Sequence, residues 1–238
     1  MMLIEWKKRR GVNAKSGVRI LFAALVTVLV FAACTQASPI VGEIIQFGEY
    51  EWIVLDVLDD KALILTKDII ERHVYNDEQA NVTWETCDLR EYLNGLFLQI
   101  FKKEEQEQII ETKVSNPDNL WYGTNGGNDT NDRVFLLSIE EVDKYFGDSG
   151  DYLNKRRKDK LPDGNWGLVD DGYNLSNEND SDRIAKHEDA ISFWWLRSPG
   201  NDVNCAATIC NEGYVYVYGH FVFYSDGGVR PALWLKLQ

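Results

Sequence analysis

The residues best suited to chemistry in this sequence lie near its C-terminus, and the chemistry they suit is recognition. In residues 213–219, GYVYVYG, three tyrosines (Tyr214, Tyr216 and Tyr218) alternate with Val215 and Val217. Strand side chains project to opposite faces in turn, so the valines face a core and the tyrosines form a stripe on the other side. His220 and Tyr224 extend that stripe. Tyrosine offers a large contact area with a polar tip at small entropic cost, which is why binding surfaces favour it. The structural alternative is cross-strand aromatic packing beneath a covering segment.

Other clusters are weaker. Asn125, Asn128, Asp129, Asn131 and Asp132 make an oxygen-rich stretch of the kind calcium prefers, though not at EF-hand spacing. Asn128, Asp129 and Asp132 stand as candidate calcium ligands; a turn leading into a strand at 134–137 explains the same residues structurally. No other cofactor is expected. His73, His187 and His220 are too scattered for the paired spacing of a zinc site. Cys205 and Cys210 could form one disulfide or remain free thiols, since Cys87 leaves an odd count once Cys34 is set apart. Acidic residues are too numerous for any carboxylate pair to stand out, and acid–base work needs a pKa separation that sequence does not display. No catalytic residue is assigned.

Cys34 has its own chemistry. Six basic residues precede the uncharged run ILFAALVTVLVFAAC, which spans 20–34. That run falls short of the ~20 residues a membrane-crossing helix needs and has the parts of a secretory signal. Phe31-Ala32-Ala33-Cys34 resembles the lipobox of bacterial lipoproteins, with Phe31 where leucine is usual. The resemblance implies a signal peptide at 1–33, acylation of Cys34, and a domain anchored to the extracytoplasmic face of a bacterial membrane. Of 25 basic and 38 acidic residues, six and one precede Cys34, so the remainder carries 19 against 37, a net −18. Such a charge repels nucleic acid and anionic headgroups, so no nucleic-acid partner is expected, and membrane contact runs through the lipid.

The elements that position these residues follow from periodicity. After a tether at 34–40, VGEIIQFG, YEWIVLDVLDD and KALILTKDII read as strands, with Asp59-Asp60 as a hairpin turn. Leu89, Tyr92, Leu93, Leu96, Phe97, Ile100 and Phe101 recur at three- and four-residue spacing and predict a helix capped by Thr83. A short amphipathic segment, KKEEQEQII, follows, and Ser138 with Glu141 forms a capping-box pattern. Residues 147–188 read as a polar surface excursion, with the solvated basic run Lys155-Arg156-Arg157-Lys158. Short strands return in ISFWWLRSPG, AATIC, GYVYVYG, HFVFYS and GVRPALWLKL. Strands, helices and strands again give an α+β domain over 41–238.

WWLRSPG and GVRPALWL, taken with FGEYEWIVLDV, TWETCDLREYLN and YGTNGGNDTNDRVFLLS, resemble an uncharacterised family of bacterial extracellular domains. That family is distantly similar to the C-type-lectin-like fold, which includes the formylglycine-generating enzymes. The resemblance implies terminal strands paired in a small antiparallel sheet, two or three helices, and a Trp-Leu-Arg segment in the core. It sets Cys205 and Cys210 beside the copper-holding cysteine pair of those enzymes. Arg197 and Arg230 are expected to be held by carboxylates or backbone carbonyls near the core. The function expected is a lipid-anchored, non-catalytic module that binds an extracellular protein or glycan. A structural domain of a cell-envelope assembly and an enzyme of formylglycine-generating type are the alternatives.

Overall fold

The computed structural model describes residues 38–147, 174–175 and 179–237. The signal region, Cys34, most of the tether and the Lys155–Lys158 run lie outside the described residues. Three strands open the chain as an antiparallel meander: β1 (Ile44–Phe47), β2 (Tyr50–Leu58) and β3 (Lys61–Thr66). Asp59 and Asp60 connect Leu58 to its partner Lys61, with Asp59 at φ 52°. Aspartate tolerates that left-handed conformation because its short side chain bonds locally.

After β4 (Glu71–Arg72) the expected long helix is shorter and broken. α1 (Asp88–Tyr92) runs into a π-helical turn at Leu93–Phe97 and a 3-10 turn at Leu98–Ile100. Cys87, not Thr83, is the N-cap residue. Thr83 packs instead against Gly127, where an added Cβ would meet its hydroxyl at 2.6 Å. The break coincides with the Asn94 side chain, which donates to the Arg90 carbonyl of the preceding turn at 3.1 Å and to the Val134 carbonyl at 2.9 Å, and accepts from the Arg133 amide at 2.8 Å. The apolar face nevertheless reaches the core through Leu89, Leu93, Phe97 and Phe101, while Leu96 and Ile100 are exposed.

α2 (Lys103–Gln106) leads into β5 (Ile109–Ile110), β6 (Thr112–Val114) and β7 (Thr130–Asp132). α3 (Ile139–Phe146) carries the expected capping box: the Glu141 amide donates to the Ser138 hydroxyl at 3.1 Å, and the Ser138 amide donates to the Glu141 carboxylate at 3.0 Å. Then come β8 (Asn174–Leu175), α4 (Asp180–Arg183), β9 (Ala185–His187) and β10 (Ala190–Ser192). The last five strands are β11 (Trp194–Pro199), β12 (Cys205–Ile209), β13 (Val215–Phe221), β14 (Gly228–Val229) and β15 (Ala232–Lys236).

The result is a mixed α+β domain, mostly antiparallel, with few and short helices. One sheet has the order β1-β2-β3-β15-β5, so the last strand enters beside β3. The other has the order β4-β14-β11-β12-β13-β8. Small pairs, β9 with β10 and β6 with β7, complete the pattern. Trp52, Trp84, Trp194 and Trp195 are fully buried, with Leu196 beside them in sequence.

The described end of the polar excursion, from Asn179, exposes Ser181, Asp182, Lys186 and Glu188 but anchors itself in the folded body through Arg183. Arg183 is 1% exposed, donates to the carbonyls of Gly213 and Phe146, and pairs with Asp180. Its own carbonyl accepts from the Trp194 indole at 3.0 Å. A polar composition conceals this because the buried group is a cation, bonded to two backbone carbonyls as well as to Asp180.

Candidate functional site

The valines of β13 are buried, and Tyr214, Tyr216 and Tyr218 beside them are only half-buried. Strand alternation accounts for the division. β12 and β13 pair from Ile209↔Val215 and Thr208↔Tyr216, then shift register before Ala206↔His220. The extra residues of β13 in this interval make a bulge, with Gly219 at φ 79°. A Cβ there would sit 2.4 Å from the Ala206 carbonyl oxygen, so the bulge requires glycine.

A loop faces this strand from the end of β11. Gly200 lets the chain approach β13 closely, and the Asn201 amide donates to the Tyr218 carbonyl at 2.8 Å. Asn119 fixes the approach: its side-chain amide donates to the carbonyls of Pro199, Gly200 and Val217 at 2.8, 3.2 and 2.9 Å. Between loop and strand lies a cleft of about 350 Å³. Asn201, Asp202 and Asn204 line it from the loop; Tyr216, Tyr218, His220 and Phe221 line it from β13, and Tyr224 from the turn beyond. Tyr214 is not part of the lining.

The rings form one continuous run. Tyr122 meets Tyr218 with centroids 5.9 Å apart, Tyr218 meets Tyr216 at 5.9 Å, and Tyr216 meets His220 at 5.1 Å. His220 then meets Tyr224 at 5.7 Å, Tyr224 meets Phe221 at 5.9 Å, and Phe221 stacks on Phe223 at 5.6 Å. These separations are those of attractive aromatic pairs. Phe221, Phe223 and Tyr224 stay substantially exposed. Burial holds the His220 imidazole below its usual pKa, so the ring is neutral at neutral pH. The Asn201 Oδ1 atom is buried without a hydrogen-bond partner.

Sequence reading missed the loop side of this cleft. Asn201, Asp202 and Asn204 carry no sequence signal of their own; the Asn119 side chain, from a distant part of the chain, and the Asn201 amide bond to Tyr218 bring them opposite the tyrosines.

The oxygen-rich stretch is committed elsewhere. Asp132 is buried; its Oδ1 accepts from Arg90 at 2.7 Å, and its Oδ2 from Trp84 at 2.9 Å and Thr130 at 2.6 Å. Asp129 pairs with Lys113 at 2.9 Å, a bond that also lowers its pKa. Asn128 donates to Glu85. Among the described residues no three His, Cys, Asp or Glu side chains gather as a metal cluster.

Cys87, Cys205 and Cys210 are free. Cys205 opens β12 and Cys210 follows its last residue, so about 3.3 Å of rise per residue sets them roughly 16 Å apart. That is beyond a disulfide or a shared copper ion. Burial pushes the thiols of Cys205 and Cys210 up to about 11 and about 12, leaving them protonated and poorly nucleophilic at neutral pH.

Arg197 and Arg230 are anchors. Arg197 donates to the carbonyls of Ser115 and Leu136 and pairs with Glu141. Arg230 donates to the carbonyls of Thr66 and Lys67 at 2.8 and 2.9 Å, and its guanidinium lies 4.9 Å from the Trp194 ring.

Fold and site together define a mixed α+β domain, largely antiparallel, with an aromatic cleft on one sheet. Residues 59–237 match the family described as Domain of unknown function (DUF6273), and the chain belongs to that family. The match begins at the β2–β3 turn, so β1 and the whole of β2 precede it. No curated protein matches the chain, and no solved structure does.

Proposed function

We propose that this domain is a non-catalytic binding module for an extracellular protein or glycan, held outside a bacterial cytoplasmic membrane by lipid on Cys34. The aromatic cleft carries the reading. It joins half-exposed rings, which supply contact area at low entropic cost, to amide and carboxylate groups that orient a ligand. Ligand sites tend to have this composition: mostly ring and apolar surface, with few polar groups. The anchor rests on the lipobox-like residues ahead of Cys34.

We also read the fold as C-type-lectin-like. Support comes from the one antiparallel sheet that holds both the first and the last strand, although β15 pairs there with β3 and β5 and not with β1. Fold likeness alone carries no ligand, so the functional claim stays with the cleft.

A panel of immobilised glycans and envelope proteins tests it. The full-length chain should be retained by one component of the panel. The Tyr216→Ser/Tyr218→Ser/Tyr224→Ser variant should lose that retention while still unfolding cooperatively. Equal retention of the folded variant would overturn the assignment to this cleft.

A further inference from the structure

The cleft has a pronounced charge pattern. Among the described residues Asp202 is its one carboxylate, and no lysine or arginine lines it. His220 adds no charge at neutral pH, because burial disfavours the imidazolium. The faces of Tyr216, Tyr218 and Tyr224 carry the negative side of the aromatic quadrupole, which attracts a cation within about 6 Å of a ring. The chain as a whole bears a net charge of −13. An anionic ligand meets repulsion at every scale here, and a neutral one offers Asp202 a hydrogen bond but no opposite charge.

The polar groups narrow the choice further. Asn201 lines the cleft, and its Oδ1 is a buried acceptor with no donor among the described residues, a cost that a ligand N–H or O–H relieves once the side chain turns toward it. Asp202 spends one oxygen on the Val203 amide at 2.7 Å and is otherwise an exposed acceptor. Acceptors beside ring faces suit hydroxyls and ammonium groups carried on an apolar ring. The aromatic run continues from Phe221 past the cleft to Phe223, further than one small molecule needs. A chain of repeating units uses that length.

We propose that the ligand is a glycan carrying unacetylated amino groups, its ammonium held between Asp202 and the faces of Tyr216 and Tyr224. The claim rests on the binding-module reading and names its substrate class. A protonated amine forms a charge-assisted bond to the carboxylate and a cation–π contact to the rings. The sugar hydroxyls face Asn201 and Asn204, and the flat faces of neighbouring sugars lie along Tyr224, Phe221 and Phe223. Acetylation removes the charge and leaves the rest of the sugar unchanged, so one chemical difference isolates the claim.

Calorimetry of the full-length chain at low salt tests it, with glucosamine hexamer against N-acetylglucosamine hexamer. The amine form should bind at least about tenfold tighter, the gain that one charge-assisted bond with one cation–π contact supplies. Asp202→Asn should bring that ratio close to one, and Glu104→Gln, an exposed acid on α2, should leave it unchanged. Tyr224→Ala, at a ring already exposed, should weaken binding of the amine hexamer several-fold while the fold persists. Equal binding of the two hexamers overturns the amine claim and leaves the binding module standing. Binding of neither overturns it too, and the panel above then decides the module. Equal losses in Asp202→Asn and Glu104→Gln would mean diffuse charge attraction and would also overturn it.

Discussion

The Trp195 indole N–H donates a 2.8 Å hydrogen bond to the carbonyl oxygen of His73, 122 residues earlier in the chain. This bond ties β11 to the segment that follows β4, across the β14 strand lying between them in the sheet. Phe193 stands edge-on to Trp195 at 5.7 Å and reaches His220 at 4.6 Å. Trp195 therefore lies one ring removed from the cleft and sets the position of its aromatic wall.

Removing that ring should be costly. Trp195→Ala is expected to destabilise the fold by about 3–5 kcal/mol, as for other large core deletions. Trp195→Phe keeps much of the volume but leaves the His73 carbonyl unpaired, a cost of about 1–3 kcal/mol. Gly227→Ala should also destabilise, because a Cβ there would lie 1.9 Å from the Trp195 indole nitrogen. Urea titration reads all three. A change below ~1 kcal/mol for Trp195→Ala would contradict the burial.

Arg230 is a fully buried cation with no salt bridge among the described residues. Desolvation brings its pKa down to about 10, with Asp68 acting in the opposite direction. Its guanidinium earns its place through two backbone carbonyls and the Trp194 face, contacts that need a planar fork. Arg230→Lys keeps the charge and loses the fork, so a loss of about 2 kcal/mol is expected. Thermal unfolding measures it; an unchanged midpoint would show that the charge alone suffices.

Much of this architecture was legible in the sequence because local rules and packing agree. The Asp59-Asp60 turn, the Ser138–Glu141 box and the Val215/Val217 alternation depend on near neighbours, and each is present as expected. The helix at Thr83 was misread because its periodicity is real while its backbone is not regular. Asn94 draws the chain toward Arg133 and Val134, a contact invisible in a seven-residue pattern. Asn201, Asp202 and Asn204 were missed for the same reason, since Asn119 holds their loop from a distant part of the chain. Arg183 was concealed by composition, because two of its bonds go to backbone oxygens that no side-chain pattern reveals.

The anchor is tested at Cys34. Acyl chains contribute about 0.8 kcal/mol per buried methylene, so two or three hold a protein to a membrane durably. Cys34→Ala should abolish incorporation of a fatty-acid analogue and shift the chain to the medium or leave it as unprocessed precursor. Unchanged labelling of the variant would remove the lipid from this account.

His220 supplies a pH test that does not depend on any ligand. Burial among Phe193, Tyr216 and Tyr224 lowers its pKa below the ordinary 6.5. Between the lowered folded value and 6.5 the unfolded chain binds more protons than the folded one, so stability rises with pH through that window. His220's contribution is complete above 6.5 and is lost as pH falls toward the folded value. His220→Gln should flatten that part of the stability curve. An imidazolium in the cleft would also repel an ammonium ligand, so affinity for glucosamine hexamer should fall as pH reaches the folded value and passes below it. Titration of the His220 ring resonances by NMR gives the decisive number: a midpoint at or above 6.5 would mean that the ring is solvated and that the cleft is wetter than its geometry implies.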